Sequence, residues 1–364
     1  MTHPNSQSQA ADLHEDLAHA LRTLASGTDL DRRAAAAAMD VVMLGEASPA
    51  QIAALLMGLA VKGETVEELA GIAATMRAHA VTVPLAPGGH IVDTCGTGGD
   101  GADTFNVSTT AAFVVAACGV RVAKHGNRAV SSACGSADVL EALGANIDAD
   151  PAKVAELIES VGFAFMFAPR YHPAMRHAAI ARRELRLRTA FNLLGPITNP
   201  AGARHQIVGV SDGAAVPKIA KVLRELGTEH ALVVRGRDGL DELSICAPTV
   251  IHELAGGRVS TYELAPEEVG LTTADVRELR GGDAVENARI TRGVLDGSID
   301  SACRDVVLLN AGAALYVGGV VPDIAAGVVR ARAAIVDGAA ITCLDDFVRA
   351  SHQSHQSVGI GGGA

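Results

Sequence analysis

The chain has 364 residues, 49% of them hydrophobic but only 3% aromatic and none of them Trp, and it carries a net charge of -11. That length is ample for a buried core and two structural units, and the shortage of aromatics calls for a core of Ala, Val, Leu and Ile, which suits helices packed on a parallel sheet. The acidic balance argues against sequence-independent binding to nucleic acid, which takes a surplus of Lys and Arg.

Cys95, Cys118, Cys134, Cys246, Cys303 and Cys343 form no CxxC pair, which fits reduced thiols in a cytoplasmic protein. The first residues lack the apolar core of a signal peptide, and the apolar stretch Val306 to Val321 falls short of a membrane span. Residues 1–11 and the low-complexity tail 352–364 read as flexible, and His352 and His355 are assigned no role.

From Leu13 to about Ala80 the pattern is helical: LHEDLAHALRTLASG, LDRRAAAAAMDVVMLG, SPAQIAALLMGLAVKG and TVEELAGIAATMRAHA. Asp, Ser or Thr opens each helix, and several close on Gly. This predicts a helical domain over 12–85, with VTVPLAPGG at 81–89 as a linker. An α/β domain over 89–351 follows.

There HIVDT (90–94) runs into DTCGTGGDGADTFNVSTT, and VRVAK (120–124) runs into KHGNRAVSSACGS. Between them NVSTTAAFVVAACG reads as a helix opened by a hydroxyl or amide cap and closed at Gly119. A right-handed crossover makes the two strands parallel, so both glycine-rich loops emerge at one edge of the sheet. Glycines let backbone N–H groups approach an anion. Ser108, Thr109, Ser131 and Ser132 add hydroxyls, and Lys124 and Arg128 add positive charge. The expected ligand is phosphorylated. Neither loop has the GK[ST] ending of a Walker loop or the GxGxxG spacing of a dinucleotide fold, which disfavours ATP hydrolysis and NAD binding. Cys95 and Cys134, within the loops, read as small packing residues rather than nucleophiles.

Helices over ADVLEALG and PAKVAELIESVG and the apolar run FAFMF come next, then an Arg-rich helix over HPAMRHAAIARRELRLR (172–188) that would rejoin the helical domain. Strands IVGV (207–210) and HALVVRG (230–236), with the helix AVPKIAKVLRELG between them, extend the parallel sheet. Asp241 and Glu242 follow the last of these strands. They are either a Mg²⁺ ligand pair beside the phosphate site or an acidic turn. Two short strands, PTVIHEL and GRVSTYEL, precede a mainly helical remainder from Asp283 to Ala350. The fold class is α/β, a small all-helical domain plus a larger domain with a mostly parallel central sheet.

With these residues placed, the chain resembles the anthranilate phosphoribosyltransferase family from about Asp29 to Ser351. The resemblance rests on GEASPAQIAALLMGLAVKGET, DTCGTGGD, NVST, KHGNRAVSSACGSADVLEALG, FAPRYHP, RREL followed by RTAFNLLGPITNPA, DGLDE and LNAGAALYVGG, in that order. It implies a fold of the nucleoside phosphorylase and phosphoribosyltransferase type, a cytoplasmic homodimer contacting through the helical domain, and a role in tryptophan biosynthesis. The implied reaction joins anthranilate to 5-phosphoribosyl 1-diphosphate.

Position by position, the resemblance places the sugar diphosphate on Gly96, Gly99, Asp100 and Thr104, on Asn106, Val107, Ser108 and Thr109, on Lys124, His125, Gly126, Asn127, Arg128, Ala129, Val130, Ser131 and Ser132, and on Ser136. It implies Mg²⁺ on Ser108, Asp241 and Glu242, and anthranilate on Gly96, Asn127 and Arg182. A guanidinium such as Arg182 suits an aromatic carboxylate, although one more cation on a solvated helix face is the plainer reading. His125 is an orienting or pocket-lining residue, with no certain catalytic base. Where many relatives have RRELG this chain has Arg186, a departure that bears on the local turn. Two other readings are a pyrimidine nucleoside phosphorylase, which shares the fold and a similar KHGNR loop, and a silent paralogue serving as a scaffold or nucleic-acid binder.

Overall fold

The structure is a computed structural model that describes residues 14–86, 88–129 and 133–353. Val130, Ser131 and Ser132 of the second loop therefore lie outside the described residues, as do both tails except His352 and Gln353. In chain order the first elements are α1 (Glu15–Ala25), α2 (Arg32–Leu44), α3 (Pro49–Lys62), α4 (Val66–Ala78), β1 (Ile91–Gly96), α5 (Val107–Ala117), β2 (Arg121–Gly126), α6 (Ser136–Ala142), α7 (Pro151–Ser160) and β3 (Phe163–Phe167). Then come α8 (Ala168–Tyr171), α9 (Ala179–Leu185), α10 (Ala190–Leu194), β4 (His205–Gly209), α11 (Val216–Glu225), β5 (His230–Gly236), β6 (Thr249–Ala255) and β7 (Arg258–Leu264). Helices α12 (Ala284–Leu295), α13 (Ala302–Val317), α14 (Ile324–Val336) and α15 (Ala339–Ser351) complete the chain.

Residues up to Ala80 join His172–Phe191 in one compact unit, and Val81–Tyr171 joins the chain from Asn192 onward in a second. In the first unit, Ser48 with Gln51 and Thr65 with Glu68 form capping boxes that satisfy the amides opening α3 and α4. Glu68 is wholly buried, and Leu30 N, Thr65 N and the Lys62 ammonium all donate to it, which is what allows a carboxylate inside a core.

Residues 172–188 are not one helix. Pro173–Ala178 is a tight 3₁₀ turn, and α9 stops at Leu185 because Arg186 takes a left-handed conformation, φ 51° and ψ 30°. A side chain is strained there by roughly 1–2 kcal/mol, whereas glycine is not. Arg186→Gly is therefore expected to stabilise the chain by about 1 kcal/mol, part of the gain being lost to a freer unfolded chain. Urea unfolding checks this: the midpoint should rise with the slope unchanged, and a lower midpoint would mean that the arginine side chain contributes more than its backbone costs.

The second unit is built on one sheet of seven described strands, in the order β3-β2-β1-β4-β5-β6-β7. Strands β1 to β5 run parallel, while β6 and β7 are antiparallel additions. The chain proceeds from β1 through β2 to β3 on one side and returns on the other side of β1 as β4, so the strand order reverses between β1 and β4. A crevice opens at the carboxyl ends of strands at such a point. Helix α13 is buried along nearly its whole length against α5 and α14. No described helix is long and apolar enough to cross a membrane. Just past α15, at the first residue of the expected tail, the His352 ring bonds the Gly144 carbonyl at 2.8 Å.

Candidate active site

The four strands flanking the reversal, β2, β1, β4 and β5, each end on glycine: Gly126, Gly96, Gly209 and Gly236. Gly96 and Gly209 are paired across β1 and β4, and the loop carrying Asp241 presses against both. A Cβ on Gly209 would lie 1.6 Å from the Asp241 carbonyl oxygen, and one on Gly96 would lie 2.6 Å from its carboxylate. Only bare backbone admits Asp241 to this edge. Its carboxylate accepts the Gly98 amide at 2.6 Å, and its own amide donates to Asp100 at 3.4 Å. Asp100, Asp241 and the DTCGTGGD loop thus form one ensemble.

Helix α5 points its first turn at the same place. Asn106 occupies the cap position but does not cap, contrary to expectation; its side chain donates to the Cys134 carbonyl at 3.2 Å and accepts from Asn287 at 3.0 Å. The Ser108 amide, left free by that arrangement, donates to Glu242 at 3.3 Å. In the same turn the buried Thr109 hydroxyl has no hydrogen-bond partner among the described residues. A helix N-terminus of this kind attracts anions through its amides and dipole.

Lys124 is fully buried on β2. Its ammonium donates to the Thr94 carbonyl and to the Ser108 hydroxyl, the latter at 3.2 Å. Burial pulls its pKa down, opposed by Asp93, Cys95 and Glu242. Glu242 is pushed up to about 8 by burial, with the Asp241 charge adding to the rise and Lys124 opposing it. Carboxylates crowded to this degree are short of positive charge. The donors are all oxygens, from the Ser108 hydroxyl and the Asp241 and Glu242 carboxylates, and they fit Mg²⁺, which takes one or two carboxylates and completes its shell with water and phosphate oxygens.

The second loop is held from behind. Asp93, wholly buried on β1, accepts the His125 amide at 3.2 Å and the Asn199 side chain at 2.8 Å; Asn199 also donates to the Ala123 carbonyl at 2.8 Å. Asp138 accepts the Ala129 and Gly135 amides, each at 2.9 Å, and so pins both ends of the loop. Asp93, Asn199, Asp138 and Asn287 escaped the sequence reading. Asp93, Asn199 and Asp138 stood inside quoted motifs, but only the fold shows what they hold.

Arg128 differs from its expected role. Its guanidinium bonds Asp138 at 3.1 Å and Glu141 at 2.5 and 2.9 Å, and it lies over the Phe167 ring, so its charge is already engaged. Asn127 accepts the Arg128 amide at 2.8 Å, and Ser136 opens α6 beside Gly126. Thr104 borders a cavity of about 150 Å³ that Cys134, Arg280 and Asn287 also line. Burial pushes the Cys134 thiol up to about 11 and raises Cys95 as well, which keeps both as packing thiols. Arg182 belongs to the helical unit, on α9, with its guanidinium 5.5 Å from the centre of the Phe191 ring.

Residues 18–80 match the helical bundle domain of a glycosyl transferase family, and 88–341 match its a/b domain. Anthranilate phosphoribosyltransferase from Rubrobacter xylanophilus is 53% identical over 337 residues, covering 93% of this chain and 98% of that protein. The chain belongs to the anthranilate phosphoribosyltransferase family. Among solved family structures, the Thermus thermophilus protein aligns with a TM-score of 0.87 and 42% identity, over 92% of this chain and 99% of that one. The Saccharomyces cerevisiae family member, solved in complex with PRPP and Mg, aligns with a TM-score of 0.86 and 28% identity over 93% and 98% of the two chains.

Proposed function

We propose that this chain transfers the 5-phosphoribosyl group from 5-phosphoribosyl 1-diphosphate to the amine of anthranilate, giving N-(5-phosphoribosyl)anthranilate and diphosphate in tryptophan biosynthesis. The observation that carries this reading is the meeting of the α5 N-terminus, the buried Lys124 ammonium and the Asp241 and Glu242 carboxylates at the glycine ends of β1, β2 and β4. A sugar diphosphate is large and highly charged. It needs amides and a cation for its oxygens, and carboxylates to recruit a metal.

Ser108, Asp241 and Glu242 would hold Mg²⁺, which when bound supplies positive charge to the diphosphate. The amides of the first turn of α5 and of the DTCGTGGD loop bind the phosphate oxygens, and Lys124 stabilises negative charge growing on the leaving group. As the bond from the anomeric carbon to diphosphate breaks, the neutral anthranilate amine forms the new C–N bond and then releases a proton, so no strong base is required. His125 lines or orients. Gly96, Asn127 and Arg182 are assigned to anthranilate, with the guanidinium taking the carboxylate. A cytoplasmic homodimer associating through the helical unit is part of the same proposal, and light scattering at twice the chain mass checks the assembly.

Mixing the protein with anthranilate, the sugar diphosphate and Mg²⁺ should consume the anthranilate fluorescence. Turnover only with a pyrimidine nucleoside and phosphate would overturn the reading. Arg182→Ala should raise the KM for anthranilate about tenfold or more while leaving that for the sugar diphosphate nearly unchanged; equal effects on both would remove its role.

A further inference from the structure

A second cluster lies at the opposite edge of the same sheet. His90 precedes β1, His205 opens β4 and Glu229 precedes β5, so three neighbouring strands bring their amino ends together here. The glycine loops emerge at the opposite, carboxyl edge of the sheet, about 15–20 Å away at 3.3 Å per residue. The ligand atoms of the three side chains lie within 4.8 Å of one another.

The two imidazoles are oriented by consecutive carbonyls at the end of α13. His205 Nδ1 bonds Val317 O and His90 Nδ1 bonds Gly318 O, each at 2.9 Å. A carbonyl oxygen only accepts, so both Nδ1 atoms carry the hydrogen, and in the neutral rings both Nε2 atoms keep a lone pair. The rings stack with centroids 4.1 Å apart and planes 16° from parallel. His205 Nε2 faces Glu229 Oε2 at 3.2 Å, while Arg204 holds the other carboxylate oxygen at 2.7 Å. One proton can bridge one imidazole to the carboxylate and leaves the second imidazole unserved. A metal ion serves all three.

We propose that His90, His205 and Glu229 form a binding site for a zinc-type divalent cation, with water as the fourth ligand, that ties the starts of β1, β4 and β5 to the end of α13. Two ligands about 2.0–2.1 Å from a tetrahedral zinc sit roughly 3.3 Å apart, close to the His205–Glu229 separation. Imidazole fixed by an Nδ1–H to carbonyl bond is the outer-shell arrangement usual for zinc-bound histidine. The C-terminal end of a helix also favours a nearby cation. Mg²⁺ would not compete, because it prefers oxygen ligands. His205 is buried while His90 and Glu229 are exposed, so the site opens to water on one side.

Zn²⁺ titrated calorimetrically into the full-length chain, stripped of transition metals and saturated with Mg²⁺, tests this. One Zn²⁺ per chain is expected, with affinity reduced about tenfold or more by His90→Ala and by Glu229→Gln. Co²⁺ in place of Zn²⁺ should give the visible absorption of a four-coordinate site in the wild type but in neither site variant. His352→Gln combined with His355→Gln should change neither readout. No Zn²⁺ uptake, uptake unaffected by both site variants, or uptake lost only with the tail variant would each overturn the proposal.

Discussion

Asp241→Asn combined with Glu242→Gln is expected to lower kcat/KM for the sugar diphosphate by about 10²–10³ and to move the Mg²⁺ dependence to higher concentration, because the amides keep the shape but lose the charge that recruits the metal. The same variant should be more stable than the wild type when no ligand or metal is present. Burial raises the Glu242 carboxyl most and the Asp241 and Asp100 charges crowd it further, against the opposing pull of Lys124 and the Ser108 amide. The pH dependence follows in sign. A carboxyl whose folded pKa lies near 8, against an ordinary value of 4.5, holds its proton longer in the native state than in the unfolded chain. The native state then binds more protons across that window, so stability falls as pH rises from the ordinary carboxylate range towards 8 and levels off beyond it. Melting temperatures in EDTA between pH 5 and 8.5 should slope downward for the wild type and less steeply for the variant. Parallel slopes would show that Glu242 is not the strained group, and unaltered Mg²⁺ dependence would refute the metal assignment.

That strain also explains what could be read in advance. The two glycine loops were legible because each grows out of a short β-branched run, and because one crossover brings both to the same edge. Asp241 and Glu242 were legible by the same logic, following the end of β5. Their closeness to Ser108 was implied by the family resemblance and not by spacing, and the bond to Gly98 was not foreseen, since both depend on β4 and β5 being laid down on the far side of β1. Asn106 looked like a helix cap because capping is local. Its real partners, Cys134 and Asn287, are 28 and 181 residues away. Arg128 read as a ligand cation until α6 brought Asp138 and Glu141 under it. Asp93 and Asn199 stood in quoted motifs but were given no role, because a buried polar pair is recognisable only once the β1 register is known. Arg186 is the instructive opposite: a single residue that departs from the family pattern marks a position whose backbone does not suit it.

Lys124→Met is expected to cut kcat by about 10²–10³, since the buried ammonium is the protein's own positive charge against the leaving diphosphate. It should also destabilise the fold by about 3–5 kcal/mol, because Asp93 would be left buried without the cation that offsets its desolvation. The two effects are separable. Asp93→Asn in the Lys124→Met background removes the stranded charge and should recover much of the stability, with a coupling of at least about 1 kcal/mol in a double-mutant cycle. Turnover should stay low, because nothing in the double variant replaces the ammonium beside Ser108. Lys124→Arg should not rescue it either, the planar guanidinium being too large for a site that holds Lys124 with no exposed surface. Additive stabilities in the cycle would show that Asp93 and Lys124 do not form a unit. Recovery of turnover in the double variant would show that the lysine only supports the loop, leaving the charge on the diphosphate to the amides of α5 and the metal.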